Sequence, residues 1–287
     1  MSETLGGADL GGSHIAASIL VDAKPTRVVH RRFAAASRTA ADTLDLIAEC
    51  LSEAGEATRW MIAAPGPFEY QTGRCLISGL SKLEELFDVN LRIELSERLP
   101  GTSFDFVNDA QAAGIGEWAS GAGERAQRML YVGIGTGLGS VFINEGAVVD
   151  RGDQVPPGGH LGLTTFRDGL ADDYCSTRRL LASSDHANAE LLVQSARDGS
   201  SVDLARLAEL GADLEEIMSP WVARFKPERI VVGGGLSRAY ELILRGFTNR
   251  EQAALCVAAS YPHDAALHGV AVLAGNPNAT SSDSSTT

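Results

Sequence analysis

Phe106-Val107-Asn108-Asp109-Ala110 joins the end of an apolar strand to a helix of small residues, and it carries two polar side chains suited to chemistry. A carboxylate at the carboxyl end of a strand faces the crevice where α/β proteins bind ligands, so Asp109 is placed to take a proton from a substrate hydroxyl. Asn108 would orient the hydroxyls beside it; the plainer alternative is that one of the two only caps the helix. Three glycine-rich segments could handle an anion. In Asp9-Leu10-Gly11-Gly12-Ser13 the glycines let backbone N–H groups approach a phosphate, Ser13 can donate to an oxygen, and Asp9 can hold a cation directly or through water. An ordinary hairpin with a Gly-Gly turn fits the same residues. Gly133-Ile134-Gly135-Thr136-Gly137-Leu138-Gly139-Ser140 has glycine at every other position and suits a backbone clamp on terminal phosphates. No lysine follows, so it is not the Walker pattern, and it lacks the spacing of a dinucleotide fingerprint. Its alternative is a hairpin whose glycines relieve crowding. Val231-Val232-Gly233-Gly234-Gly235-Leu236-Ser237 offers bare backbone for a base or ribose, or forms a tight strand-to-helix turn and nothing more.

Alternating elements must position these segments. Leu5 to Val21, Arg128 to Ile143 and Arg229 to Leu236 read as strands with tight turns. Thr39 to Ala54, Asp109 to Trp118 and Val202 to Phe225 repeat apolar residues at three and four positions, as helices do. That alternation predicts an α/β chain. Gly152 to Gly162 holds four glycines and two prolines and predicts a loop. From Gly275 onward nothing is large enough to pack, which predicts a disordered tail over 275–287. A chain of 287 residues has room for one large or two medium domains. The balance of 24 Lys+Arg against 37 Asp+Glu gives a net charge of −13, which argues against nucleic acid and anionic membranes as partners. No basic segment precedes an apolar run at the N-terminus, and the longest apolar stretch, Met129 to Ile143, is shorter than a span of about 20 residues. Cys50, Cys75, Cys175 and Cys256 form no C-x-x-C pair. The expectation is a cytoplasmic protein with no membrane segment, disulfide framework or cysteine zinc site.

The four segments, in this order and at these separations, resemble the ROK family of bacterial sugar kinases within the hexokinase and actin-like ATPase group. The likeness runs from about Leu5 to Gly275. Ala64-Pro65-Gly66-Pro67 is similar to the family's sugar-cleft loop, and His268-Gly269-Val270-Ala271 to its closing helix. The resemblance implies a two-lobed actin-like ATPase (ribonuclease H-like) fold with a cleft between the lobes. Its N-terminal lobe, 1–109, would be joined by a final helix, 265–274, and its C-terminal lobe would span 110–264. The resemblance further implies ATP and Mg2+ as cofactors, a hexose or amino-hexose as substrate, and a homodimer. Asp9 would organise magnesium. Gly11, Gly12, Ser13, Gly135, Thr136 and Gly137 would take the phosphates, and Gly233, Gly234 and Gly235 would flank adenosine. Gly66 and Asn108 would contact the sugar, and Asp109 would act as general base on its 6-hydroxyl.

Departures from the family pattern bear on the substrate. The family usually carries Gly-Glu-x-Gly-His, its glutamate on the sugar and its histidine on a zinc shared with three cysteines. Here the loop reads Gly159-His160-Leu161-Gly162-Leu163, so His160 stands at the glutamate position. Cys175 is the single cysteine between Thr164 and Leu181, and no zinc site is expected. Asp172-Asp173-Tyr174-Cys175-Ser176 is similar to the family's Glu-x-Tyr-x-Ser, which puts Asp172 at the position of a second sugar-binding carboxylate. A site whose buried polar groups would go unpaired discriminates between sugars. The resembled family includes kinases narrow for aminosugars such as N-acetylmannosamine and kanosamine, so with these changes the resemblance implies an aminosugar beside glucose as substrate. His160 either meets the sugar or makes only a local backbone bond. Two other readings compete: a catalytically weak sugar-binding pseudokinase of the same fold, and a transcriptional regulator. Retention of Asp9 and Asp109 argues against the first. The short stretch before the first strand and the net charge argue against the second.

Overall fold

Thr39 and Asp42 form a reciprocal capping box: Thr39 Oγ1 accepts from the Asp42 N–H at 3.2 Å, and Asp42 Oδ2 accepts from the Thr39 N–H at 2.9 Å. The helix predicted there therefore begins at Ala40 and runs Ala40–Ala54, burying Leu44, Ile47, Ala48 and Leu51. In the computed structural model, which describes residues 3–33, 39–79 and 83–275, this helix belongs to the first of two α/β units. That unit takes the chain up to Gly116 and again from Ala266; the second is Glu117–Ala265. The change of unit falls inside the helix Asp109–Ser120.

Unit one contains β1 (Leu5–Leu10), β2 (His14–Val21), β3 (Lys24–Pro25), β4 (Val29–Arg32), β5 (Arg59–Ala64), the short pair β6 (Phe68–Glu69) and β7 (Arg74–Cys75), and β8 (Ser103–Asn108). Its main sheet has the order β3-β2-β1-β5-β8, with β4 also on β2. β1 and β2 form the predicted hairpin; β1, β5 and β8 are parallel. Residues Trp60 to Ala64 of β5 are all buried, as a central parallel strand covered on both faces requires. Trp60, Ile62 and Phe104 pack with Ile47 and Leu51 in one core. Side chains of this kind contribute roughly 1.5–3 kcal/mol each when fully buried.

Unit two contains β9 (Arg128–Ile134), β10 (Leu138–Asn144), β11 (Ala147–Val149), the short pair β12 (Thr165–Phe166) and β13 (Gly169–Leu170), β14 (Arg229–Gly233) and β15 (Cys256–Ala258). The five-stranded sheet has the order β11-β10-β9-β14-β15, with β9 and β14 parallel and Gly133 opposite Gly233. Its core gathers Leu130, Phe142 and Ile230 against Leu214, Met218 and Phe225 of the helix Ser201–Phe225.

The strand and helix segments read from the sequence fall where expected. The Gly152 to Gly162 loop adds two single turns of 3-10 helix, Pro157–Gly159 and Leu161–Leu163. The last helix, Ala265–Gly275, takes in Gly275; the rest of the expected tail lies outside the described residues. Among the described residues no helix is long and apolar enough to cross a membrane.

Candidate active site

In unit one, three candidate groups leave the same end of one sheet. Asp9 pairs with Ala63, and Ala64 with Asn108, so the carboxyl ends of β1, β5 and β8 lie side by side. Asp9, the Gly66 loop and the Asn108-Asp109 pair thus come together where parallel strands collect ligands. Gly11, Gly12 and Ser13 form the turn from β1 to β2, closed by the Gly11 N–H donating to His14 O at 2.8 Å. The hairpin alternative is thus correct as geometry, and it leaves Ser13 exposed.

Asn108 does cap the next helix: its Oδ1 accepts from the Gln111 N–H at 3.0 Å. Its Nδ2 donates to the Tyr70 hydroxyl at 3.0 Å and to Asp109 Oδ1 at 3.3 Å. Asp109 Oδ1 also accepts from the Ala110 N–H at 2.8 Å. Tyr70 donates in turn to Ala64 O at 3.2 Å, so one phenol links the ends of β5 and β8. Burial pushes the Tyr70 pKa up and the Asp109 charge adds to it, while the Asn108 hydrogen bond opposes; the phenol stays neutral. Tyr70 carries no motif, and only its place three residues after Pro67 in the Gly66 loop hinted at it.

In unit two, Gly135, Thr136 and Gly137 form the turn between β9 and β10, and Gly234 and Gly235 leave β14 directly beside it. Gly234 has φ +77°, and a Cβ there would stand 2.6 Å from Ile134 O, so only glycine brings these two turns together. The Leu236 N–H ties them by donating to Ile134 O at 3.1 Å. The His160 loop is fixed to β10 by the buried Ser140: its Oγ donates to Gly159 O at 2.6 Å and accepts from the Leu161 N–H at 2.8 Å. Ser140 ends the motif read from sequence, yet its task of fixing the His160 loop to β10 was not evident there.

His160 sits on the surface of its loop with its ring against Gly158. Desolvation by that packing lowers its pKa, and the Asp150 charge opposes the shift. Asp172, expected on the sugar, uses both carboxylate oxygens inside unit two: Oδ1 accepts from the Leu138 N–H at 2.5 Å and Oδ2 from Arg178 Nη2 at 2.8 Å. Cys175 is buried, its Sγ 4.0 Å from Leu210 O, and burial pushes its thiol up.

Among the described residues no group of three or more His, Cys, Asp or Glu side chains could hold a metal ion between them. Asp9 fits magnesium only as a nucleotide metal, with phosphate oxygens and water supplying the remaining ligands.

Three comparisons bear on these turns and strands. The chain is 25% identical over 270 residues to the glucokinase of Thermotoga maritima, covering 83% of each chain. It is 28% identical over 292 residues to the N-acetylmannosamine kinase of Salmonella newport, covering 93% of this chain and 96% of that one. The ROK family glucokinase of Streptomyces griseus, solved with glucose and AMPPNP, matches with a TM-score of 0.76 at 22% identity, over 94% of this chain and 98% of that one. The last likeness carries the expected actin-like ATPase fold. The ROK family model itself matches residues 5–276, which takes in every glycine turn and the Asn108-Asp109 pair, and on that extent the chain belongs to the ROK family.

Proposed function

We propose that the protein is an ATP-dependent sugar kinase that transfers the γ-phosphoryl group to the 6-hydroxyl of a hexose or amino-hexose. The observation that carries this reading is the Asn108-Asp109 pair at the carboxyl end of β8, beside the ends of β1 and β5. Asp109 acts as general base, drawing the proton from the attacking hydroxyl. Asn108, its amide oriented by the Gln111 N–H, Tyr70 and Asp109, aligns the sugar, and Gly66, on the loop that carries Tyr70, contacts it from beside. In unit one Gly11, Gly12 and Ser13 offer N–H and hydroxyl donors suited to phosphate; in unit two Gly135, Thr136 and Gly137 offer the same, and Gly233, Gly234 and Gly235 the bare backbone for adenosine. Such donors do most of the work in phosphoryl transfer, which needs alignment and charge stabilisation more than covalent chemistry. Magnesium, when bound near Asp9, spreads the negative charge of the phosphates. An enzyme using ATP belongs in the cytoplasm, where ATP is supplied.

The similarity to both a glucokinase and an N-acetylmannosamine kinase supports a glucose-like or aminosugar substrate. The lowered pKa of His160 keeps its ring neutral at pH 7, so it does not repel a sugar ammonium. The test is ADP release with magnesium and ATP against glucose, mannose, glucosamine, N-acetylmannosamine and kanosamine. One sugar should support turnover, and Asp109→Asn should lower kcat by roughly 10²–10⁴-fold while sugar binding persists in calorimetry. Unchanged turnover in Asp109→Asn overturns the assignment of the base. A sugar that binds without turnover replaces the kinase reading with a sugar-binding pseudokinase.

A further inference from the structure

The Gly135–Gly137 turn is held from outside its own hairpin. Gly135 O accepts from both the Thr177 N–H and Thr177 Oγ1, each at 2.8 Å. At the other end of the turn the Leu138 N–H donates to Asp172 Oδ1 at 2.5 Å. Gly137 makes room for that carboxylate, since a Cβ there would stand 2.5 Å from the same oxygen. Both ends of the turn are therefore bonded to one short stretch, residues 172–177. Asp172 Oδ2 accepts from Arg178 Nη2 at 2.8 Å, and the same nitrogen lies 3.7 Å from Asp173.

A carboxylate is an odd neighbour for a turn that receives phosphates, because its charge repels them. The Arg178 guanidinium, shared with Asp173, offsets part of that charge, so the carboxylate that holds the Leu138 N–H is not bare. The side chain of Asp172 is 27% exposed and that of Arg178 42%, so the pair sits at the rim of the turn rather than in the core. Asp172 thus has a place in the turn's geometry that a sugar ligand would not need.

We propose that Asp172 is a positioning residue for the phosphate turn and governs nucleotide affinity, not sugar affinity. The inference rests on the kinase reading for the identity of the turn's ligand. Without the carboxylate, the Leu138 N–H and Arg178 lose their shared partner and the Gly137 end of the turn is no longer held. A hydrogen bond to a charged group contributes enough that its loss should weaken nucleotide binding roughly 10-fold.

The experiment measures a non-hydrolysable ATP analogue by titration with magnesium, together with the KM values for ATP and sugar, in the full chain. Asp172→Ala should raise the analogue Kd and the ATP KM roughly 10-fold, with the sugar KM at saturating ATP unchanged within about 2-fold. Asp172→Asn, whose amide oxygen can still accept from Leu138, should recover most of that loss. If Asp172→Ala does not fold, Arg178→Gln, which bares the Asp172 charge to the phosphates, should show the same separation of nucleotide from sugar. A raised sugar KM with unchanged analogue binding overturns the inference and returns Asp172 to the sugar. A wild-type chain that binds no nucleotide overturns the kinase reading as well. A wild type and an Asp172→Ala variant that bind nucleotide equally overturn this inference alone.

Discussion

Asn108 has its whole amide engaged by the Gln111 N–H, Tyr70 and Asp109, so the plain helix-cap alternative is correct as geometry. A cap fixes Oδ1, and the fixed Oδ1 decides which way Nδ2 points. His160 is the residue where pH should be felt. Its native pKa lies below the ordinary value of about 6.5, so between the two values the unfolded chain binds more protons than the folded one. Its contribution to stability is complete above about pH 6.5 and is lost as the pH falls toward the native pKa. Urea unfolding of wild type and His160→Gln between pH 5 and 7 tests this. The wild type should lose stability on acidification more steeply than the variant, and coincident slopes would remove His160 as the cause.

Elements are joined in unit two by buried polar side chains that no periodicity announces. Asp203, near the start of the helix Ser201–Phe225, accepts from Ser195 Oγ at 2.7 Å and Arg206 Nη1 at 2.7 Å and lies 3.0 Å from His186 Nε2. The Ser195 hydroxyl foremost holds its carboxyl well below the usual range. One carboxylate thus fastens the helix Ala189–Arg197 and the stretch before it to the long helix. Removing one partner of a buried ionic cluster leaves the others unpaired, so Asp203→Ala should destabilise the protein by about 3 kcal/mol in denaturant unfolding. A loss under about 1 kcal/mol would show that the cluster is solvated and weak. The long helix itself was legible because its apolar spacing persists through Pro220. The strand β5 carried no such signal, since a continuously buried strand shows no alternation.

For the whole molecule, the chain changes unit twice, after Gly116 and after Ala265, and Glu117 serves both connections from within unit two. The fully buried Glu117 carboxylate accepts from the backbone N–H groups of Ala122 at 2.8 Å, Ser260 at 3.0 Å and Tyr261 at 2.7 Å. It ties the segment just past the first connection to the segment just before the second. Glu117→Gln turns one acceptor oxygen into a donor facing other donors, and should cost about 2 kcal/mol, read as a lowered melting temperature. An unchanged melting temperature would show that the two segments are held by packing alone.

The glycine turns, the Asn108-Asp109 pair and the α/β alternation were legible in the residues because each depends on types a few positions apart, where backbone freedom, capping and periodicity are set locally. Tyr70 on Asn108, Asp172 on the Gly135–Gly137 turn, Ser140 between β10 and the His160 loop and Glu117 between two segments depend on partners 38, 34, 21 and 144 positions away. Hydrogen bonds at such separations are chosen by how strands and helices pack, so only the tertiary structure decided what those four side chains do.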